Sequence, residues 1–148
     1  MRILICLVFA AALQAGELGA RAEYVGGTLS EIPNGSSGSV QAVDQRYFVF
    51  YSKTASLRIA YDRINMVEYG QKVDRRYLVA ALISPVFMFS KKRRHYLTVG
   101  YTDEAGREQA LIFRVDKEHI RAMLVSLEAR TGLKVQFQDE EARKAGKG

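Results

Sequence analysis

The chain has one cysteine, no tryptophan, two prolines and two histidines in 148 residues. With Cys6 alone, no disulfide can form within the chain, so a fold here must be held by its apolar core. His95 and His119 share no spacing with each other or with a cysteine that makes a metal site, so no metal or other cofactor is expected. Gly35-Ser-Ser-Gly-Ser39 lacks the Gly-Lys-Ser/Thr of a phosphate loop and the pattern of a nucleophile elbow, and is read as a turn. The carboxylates are scattered, with Asp103-Glu104 in a turn and Asp139-Glu140-Glu141 near the C-terminus. No residue set specifies a reaction, and no enzymatic activity is expected.

What the sequence has is a leader-like start. Met1-Arg2, the apolar run Ile3 to Leu13 and the Ala20-Arg21-Ala22 ending match the three parts of a secretory signal peptide, with cleavage expected before Glu23. The apolar part is too short to span a bilayer comfortably. Cys6 lies inside it rather than at its end, which argues against a lipoprotein cysteine. A chain cut there keeps 126 residues, enough for one domain, and its net charge passes from +6 to +5, with 20 Lys and Arg against 15 Asp and Glu. The expected location is exported, periplasmic or extracellular and peripheral to a membrane. Export removes the usual nucleic-acid targets, and the basic residues are not interleaved with stacking aromatics, so nucleic acid is not an expected partner.

The positive excess is local. Arg75 and Arg76 precede, and Lys91, Lys92, Arg93 and Arg94 follow, a thirteen-residue apolar run from Tyr77 to Phe89. Pro85 cannot sit inside a helix without breaking it and biases Ser84 towards extended backbone, so the run is expected to reverse there in two short arms. Neither arm has a polar face at a period of 2 or 3.6, so its apolar surface needs covering by a bilayer, by a second protein or copy of the chain, or by the rest of the domain.

Around this segment the pattern is that of a β domain. Gly, Asp or Asn clusters recur every eight to twelve residues from Tyr24 to Val115, the spacing of antiparallel strands in a sandwich or barrel. Strands are expected at Tyr24 to Leu29, Ser39 to Val43, Tyr47 to Tyr51, Ser56 to Ala60, Asn65 to Val73, Tyr96 to Tyr101 and Glu108 to Arg114. Leu57 and Ile59 alternate with Arg58, which places the aliphatics inward. Pro33 to Gly38 reads as the loop after the first strand, Asp103 to Gly106 as a hairpin turn, and Gly70 as a bulge that turns the chain into the apolar run. At Asp116 the period changes to 3.6: Ile120, Met123, Leu124 and Leu127 form one face, while Arg121, Glu128 and Arg130 are expected to face solvent. Asp116 as N-cap and Gly132 as C-terminal cap bound a helix from about Lys117 to about Thr131. A short edge strand is expected from Leu133 to Phe137, and a flexible charged tail over residues 139–148.

Seven strands followed by one amphipathic helix, together with the segments Leu57 to Tyr69 and Tyr96 to Tyr101, resemble the bacterial PH-like and GRAM-type domains of the pleckstrin-homology superfold. The resemblance implies a mostly-β fold, a seven-stranded bent barrel capped by the C-terminal helix over residues 23–138, with the apolar run inserted between strands 5 and 6. It also implies a binding role for lipid head groups, peptides or proteins. The family's phosphoinositide mode uses Lys and Arg on the first two strands, whereas Glu23 to Gln45 contains neither. The expected function is therefore a membrane-surface binding or assembly module. Leu82, Ile83, Val86, Phe87 and Phe89 would form its apolar tip, and Arg75, Arg76, Lys91, Lys92, Arg93 and Arg94 would meet anionic head groups. The alternative is a protein-interaction module in which the same tip docks on a partner or pairs two copies as a homodimer.

Overall fold

A computed structural model describes residues 19–73, 76, 94–138, 143, 144 and 146. In chain order the elements are β1 (Gly19–Gly27), β2 (Ser36–Gln41), β3 (Tyr47–Ser52), β4 (Ser56–Ala60), a single 3-10 turn (Tyr61–Arg63), β5 (Ile64–Gly70), β6 (His95–Thr102), β7 (Glu108–Val115), α1 (Lys117–Thr131) and β8 (Gln136–Phe137). They build one sheet in the order β4-β3-β2-β1-β7-β6-β5-β8, antiparallel except for the short parallel pair β5–β8. The mostly-β class and the C-terminal helix agree with the sequence. Among the described residues the sheet has eight strands and two edges, β4 and β8, where seven strands in a bent barrel were expected. The extra strand is the edge strand read at Leu133 to Phe137, paired over two residues only.

Alternation of exposed and buried positions is clearest in β4, where Ile59 is buried and Ser56 and Arg58 are exposed. Phe113 is the hub of the core: its ring centroid lies 5.1 Å from Phe50, 5.7 Å from Tyr24 and 6.1 Å from Phe48, which joins β7 to β1 and β3. Burial pushes the Tyr24 phenol up to about 12, and its hydroxyl donates to the Leu29 carbonyl at 3.2 Å. Helix α1 closes this side of the sheet with Ile120, Met123, Leu124 and Leu127, all buried. Its ends follow the sequence: the Asp116 carboxylate accepts from the Glu118 N–H, and Gly132, at φ 72°, takes the left-handed cap that a Cβ would strain. Arg130 is exposed, as the periodicity expects, and it also makes contacts to the sheet side. The Arg130 guanidinium donates to the carbonyls of Ala42 (2.9 Å) and Val43 (3.0 Å) and lies 5.6 Å from the centre of the Tyr61 ring, so it ties the helix to the β2–β3 loop. Glu128 likewise accepts from the Val135 N–H at 2.9 Å, holding the turn that leads to β8.

The role of Gly70 also differs from the expected bulge. It stays in register opposite Tyr96, while the irregularity in β5 falls between Ile64 and Met66. A Cβ on Gly70 would meet Gln138 at 2.8 Å, so the glycine serves the close approach of the chain after β8. Beside it, the buried Glu68 accepts from the Gln138 side-chain amide. Two strands are buried on both faces: Leu97, Val99, Leu111 and Phe113 point into the core, whereas Tyr96, Thr98, Ala110 and Ile112 lie on the opposite face and are buried as well, Ile112 completely. Of the expected tail, Arg143 and Lys144 are exposed, while Gly146 is buried beside Phe137 and Leu124.

The expected cleavage point falls inside β1. Gly19 to Ala22 pair with Gln41 to Gly38 of β2, and Ala20 and Ala22 are core residues. A chain starting at Glu23 keeps two of the six β1–β2 residue pairs. Urea denaturation should find it less stable than a chain starting at Gly19 by at least about 3 kcal/mol, the sum of lost ladder bonds and alanine burial. Equal midpoints would show that these four residues add nothing. For the helix, Leu124 is 2% exposed and Val125 60% exposed. Leu124→Ala should cost about 2 to 5 kcal/mol and Val125→Ala under about 0.5 kcal/mol, and similar midpoints would mean the helix face does not seal the sheet.

The β6–β7 turn gives a pH test. The Asp103 carboxylate is held down to about 2 from its ordinary 3.8, chiefly by the backbone N–H of Arg107 and then by the side chains of Gln109 and Arg107 and the Ala105 N–H. A carboxyl whose folded value lies below its unfolded value contributes stability that is complete above the unfolded value and lost as the pH falls through the folded one. The amide resonances of Ala105 and Arg107 should therefore titrate together with a midpoint near 2 rather than near 3.8. Asp103→Asn should abolish that titration, and a midpoint near 3.8 would deny the hydrogen-bonded turn.

Candidate functional site

Of the eleven residues named for the tip and its cations, Leu82, Ile83, Val86, Phe87, Phe89, Arg75, Lys91, Lys92 and Arg93 lie outside the described residues. Arg76 is exposed, and Arg94 is half-buried immediately before β6. The segment that carries them connects β5 to β6, as the sequence order requires.

Arg94 does not stand by itself. It lines an open cleft of about 850 Å³ together with Arg21 from β1, Arg114 from β7, Lys117 at the start of α1, and His95. The sheet explains how these residues meet. Glu23 is paired with Arg114 across β1 and β7, and in an antiparallel ladder paired side chains share a face, so the two form an ion pair on the surface away from the core. Arg21 lies two residues from Glu23 on that same face. The ladder continues one step further, with the Asp116 N–H donating to the Arg21 carbonyl at 3.0 Å, and this bond sets where the strand ends and the helix begins. His95, paired with Val115, completes the wall. Its Nδ1 shares a 2.7 Å hydrogen bond with the Tyr69 hydroxyl, and the two rings stack at 12° with centroids 5.7 Å apart.

Among the described residues, the lining carries four Arg and Lys side chains, Arg21, Arg94, Arg114 and Lys117, and two carboxylates, Glu23 and Asp116. The N-terminus of a fifteen-residue helix adds a partial positive charge at the same place. Chemically this is a wall of charge-assisted donors, in which the Arg114 guanidinium donates to the Glu23 carboxylate. Sequence reasoning missed Arg21 because it was assigned to the leader. It missed Arg114 because Glu23 and Arg114 are 91 residues apart and meet only through strand pairing. The one available signal was positional, since Arg114 and Lys117 flank the predicted strand-to-helix junction.

His119 is half-exposed, 3.9 Å from the Asp116 carboxylate, and with Glu118 forms a group of three potential ligands at the helix start. The Asp116 carboxylate is engaged there as the N-cap, which accounts for the grouping. A smaller cavity of about 270 Å³ lies between α1 and the adjoining ends of β1 and β2, near Ala20, Ala42 and Met123. Among the described residues no helix is long and apolar enough to cross a membrane. No protein-family model matches the chain, and no curated protein matches it at a significant level.

Proposed function

We propose that this protein is a non-enzymatic, exported membrane-surface binding or assembly module of PH-like fold, in which the open sheet and α1 form a bent, partly closed barrel around the Phe113 core. The observation that supports it is the cleft. Arg94, the last cation of the basic run, shares a wall with Arg21, Arg114 and Lys117, so the end of the apolar segment and the start of the helix present one positive surface. Near an anionic leaflet each such cation contributes up to about 1 kcal/mol, less in salt. Val86, Phe87 and Phe89 would add about 1.5 to 3 kcal/mol each if they insert. Export is carried by the leader in this reading, and the integrity of β1 favours a cut that leaves Gly19 to Ala22 in place. Intact-mass analysis of the exported chain decides between that and a start at Glu23.

The burial of Tyr96, Thr98, Ala110 and Ile112 on the sheet's outer face favours a second arrangement of the same function. In it the apolar run covers its own sheet, and the cations alone meet the membrane.

Flotation with liposomes tests both. Wild-type protein should float with anionic vesicles in a salt-sensitive manner, and neutralising Lys91 to Arg94 should reduce both the binding and its salt dependence. Phe87→Ser with Phe89→Ser should leave the denaturation midpoint intact and weaken flotation if the tip inserts, and should lower the midpoint if the run belongs to the core. A lipid-indifferent dimer that the phenylalanine variant breaks would replace the membrane reading with a protein partner.

A further inference from the structure

We propose that the cleft between β1, β7 and the start of α1 binds a phosphate group, with Arg114, Arg21 and Lys117 as its donors and Glu23 as the residue that limits its affinity. This rests on the membrane-surface reading and names the chemistry that the surface recognises. Arg114, Arg21 and Lys117 bring three cationic side chains to one wall, the donor chemistry that a phosphate anion takes. The donors are suited to it, because arginine forks pair two oxygens at once and a helix N-terminus favours an anion beside it. The volume, about 850 Å³, is far larger than an ion and has room for a phosphorylated head group. The walls come from three elements held by continuous pairing, Glu23 opposite Arg114 and the Asp116 N–H on the Arg21 carbonyl, so the cations are positioned before any ligand arrives.

Glu23 gives the proposal a distinctive consequence. Its carboxylate holds the Arg114 guanidinium in the cleft, and any incoming phosphate must share that guanidinium and approach the carboxylate. Removing the charge while keeping the shape should therefore strengthen binding. Adventitious attraction to scattered surface cations would be nearly indifferent to one carboxylate.

The test is titration of the full chain with inorganic phosphate, followed by amide shifts, and flotation with phosphatidylcholine vesicles with and without phosphatidic acid. Arg114→Gln and, separately, Lys117→Gln should weaken phosphate binding by about tenfold or more for the arginine, the worth of a charge-assisted bond. Glu23→Gln should tighten it. Arg107→Gln, at the opposite end of the β6–β7 hairpin from the His95–Val115 pair, should leave it unchanged. Lys117 is exposed on the helix, so its variant reports on the site even if the Arg114 variant fails to fold. Phosphate binding that Glu23→Gln fails to raise, or that Arg107→Gln and Lys117→Gln reduce equally, overturns the proposal. Vesicle binding that survives both cleft variants overturns the site and leaves the membrane reading standing. Phosphate binding with the predicted variant pattern, but no preference for phosphatidic acid, keeps the site, assigns it a soluble phosphate and removes the membrane reading.

Discussion

The pairing of β1 with β7 is the contact on which the rest of the molecule depends. β1 stands between β2 and β7 in the sheet, so it joins the half built from β2 to β4 to the half built from β5 to β8. First and seventh strands are far apart in sequence, and the entropy of closing so long a loop must be offset by what the pairing buries. The offset is concentrated in one place: Tyr24 sits opposite Phe113, and both rings pack with Phe50, which comes from β3 on the far side of β2. A one-residue slip would turn Tyr24 outward and bring Glu23 into the core, so the aromatic cluster fixes the register as well as the pairing. The irregularity between Tyr24 and Gly26 then lets the end of β1 depart from that register after the aromatic contact has been made.

The register determines the surface too. With Tyr24 inward, Glu23 and Arg21 face outward, and Glu23 is brought opposite Arg114. The Arg21 carbonyl takes the Asp116 N–H, which ends β7 and frees the Asp116 side chain to cap α1. The cleft and the helix start are therefore consequences of the same seam.

This explains which parts of the structure were legible in the sequence. The helix was, because its signals are local: the Ile120, Met123, Leu124 and Leu127 spacing, an aspartate at one end and a glycine at the other. The Asp103 to Gly106 turn was legible for the same reason, as were the strands with clear alternation. What escaped depends on residues distant in sequence. Arg130 reads as a surface residue until the β2–β3 loop is beneath it, and Gly70 reads as a bulge until Gln138 lies against it. Ala20 and Ala22 are the subtlest case. Small side chains two residues apart suit a peptidase site, and equally suit one face of a strand packed closely under a helix, so the local pattern serves both, and the pairing with β2 is not visible in it.

The topology also links the basic cleft to the apolar run. β5 and β6 are adjacent and antiparallel, so the chain leaves the sheet after Gly70 and re-enters at His95 at the same end, since Gly70 is paired with Tyr96. His95 is in turn paired with Val115, one residue from Arg114 and two from Lys117. Arg94 and His95, where the chain rejoins the sheet, both line the cleft. At physiological ionic strength exposed charges act over about 8 Å, so cations held elsewhere on the sheet would not assist a contact made there. An apolar segment and a positive surface that shared a sequence but not a sheet end would act independently. Here the strand register places Arg94, the last cation after that run, in the wall of the cleft.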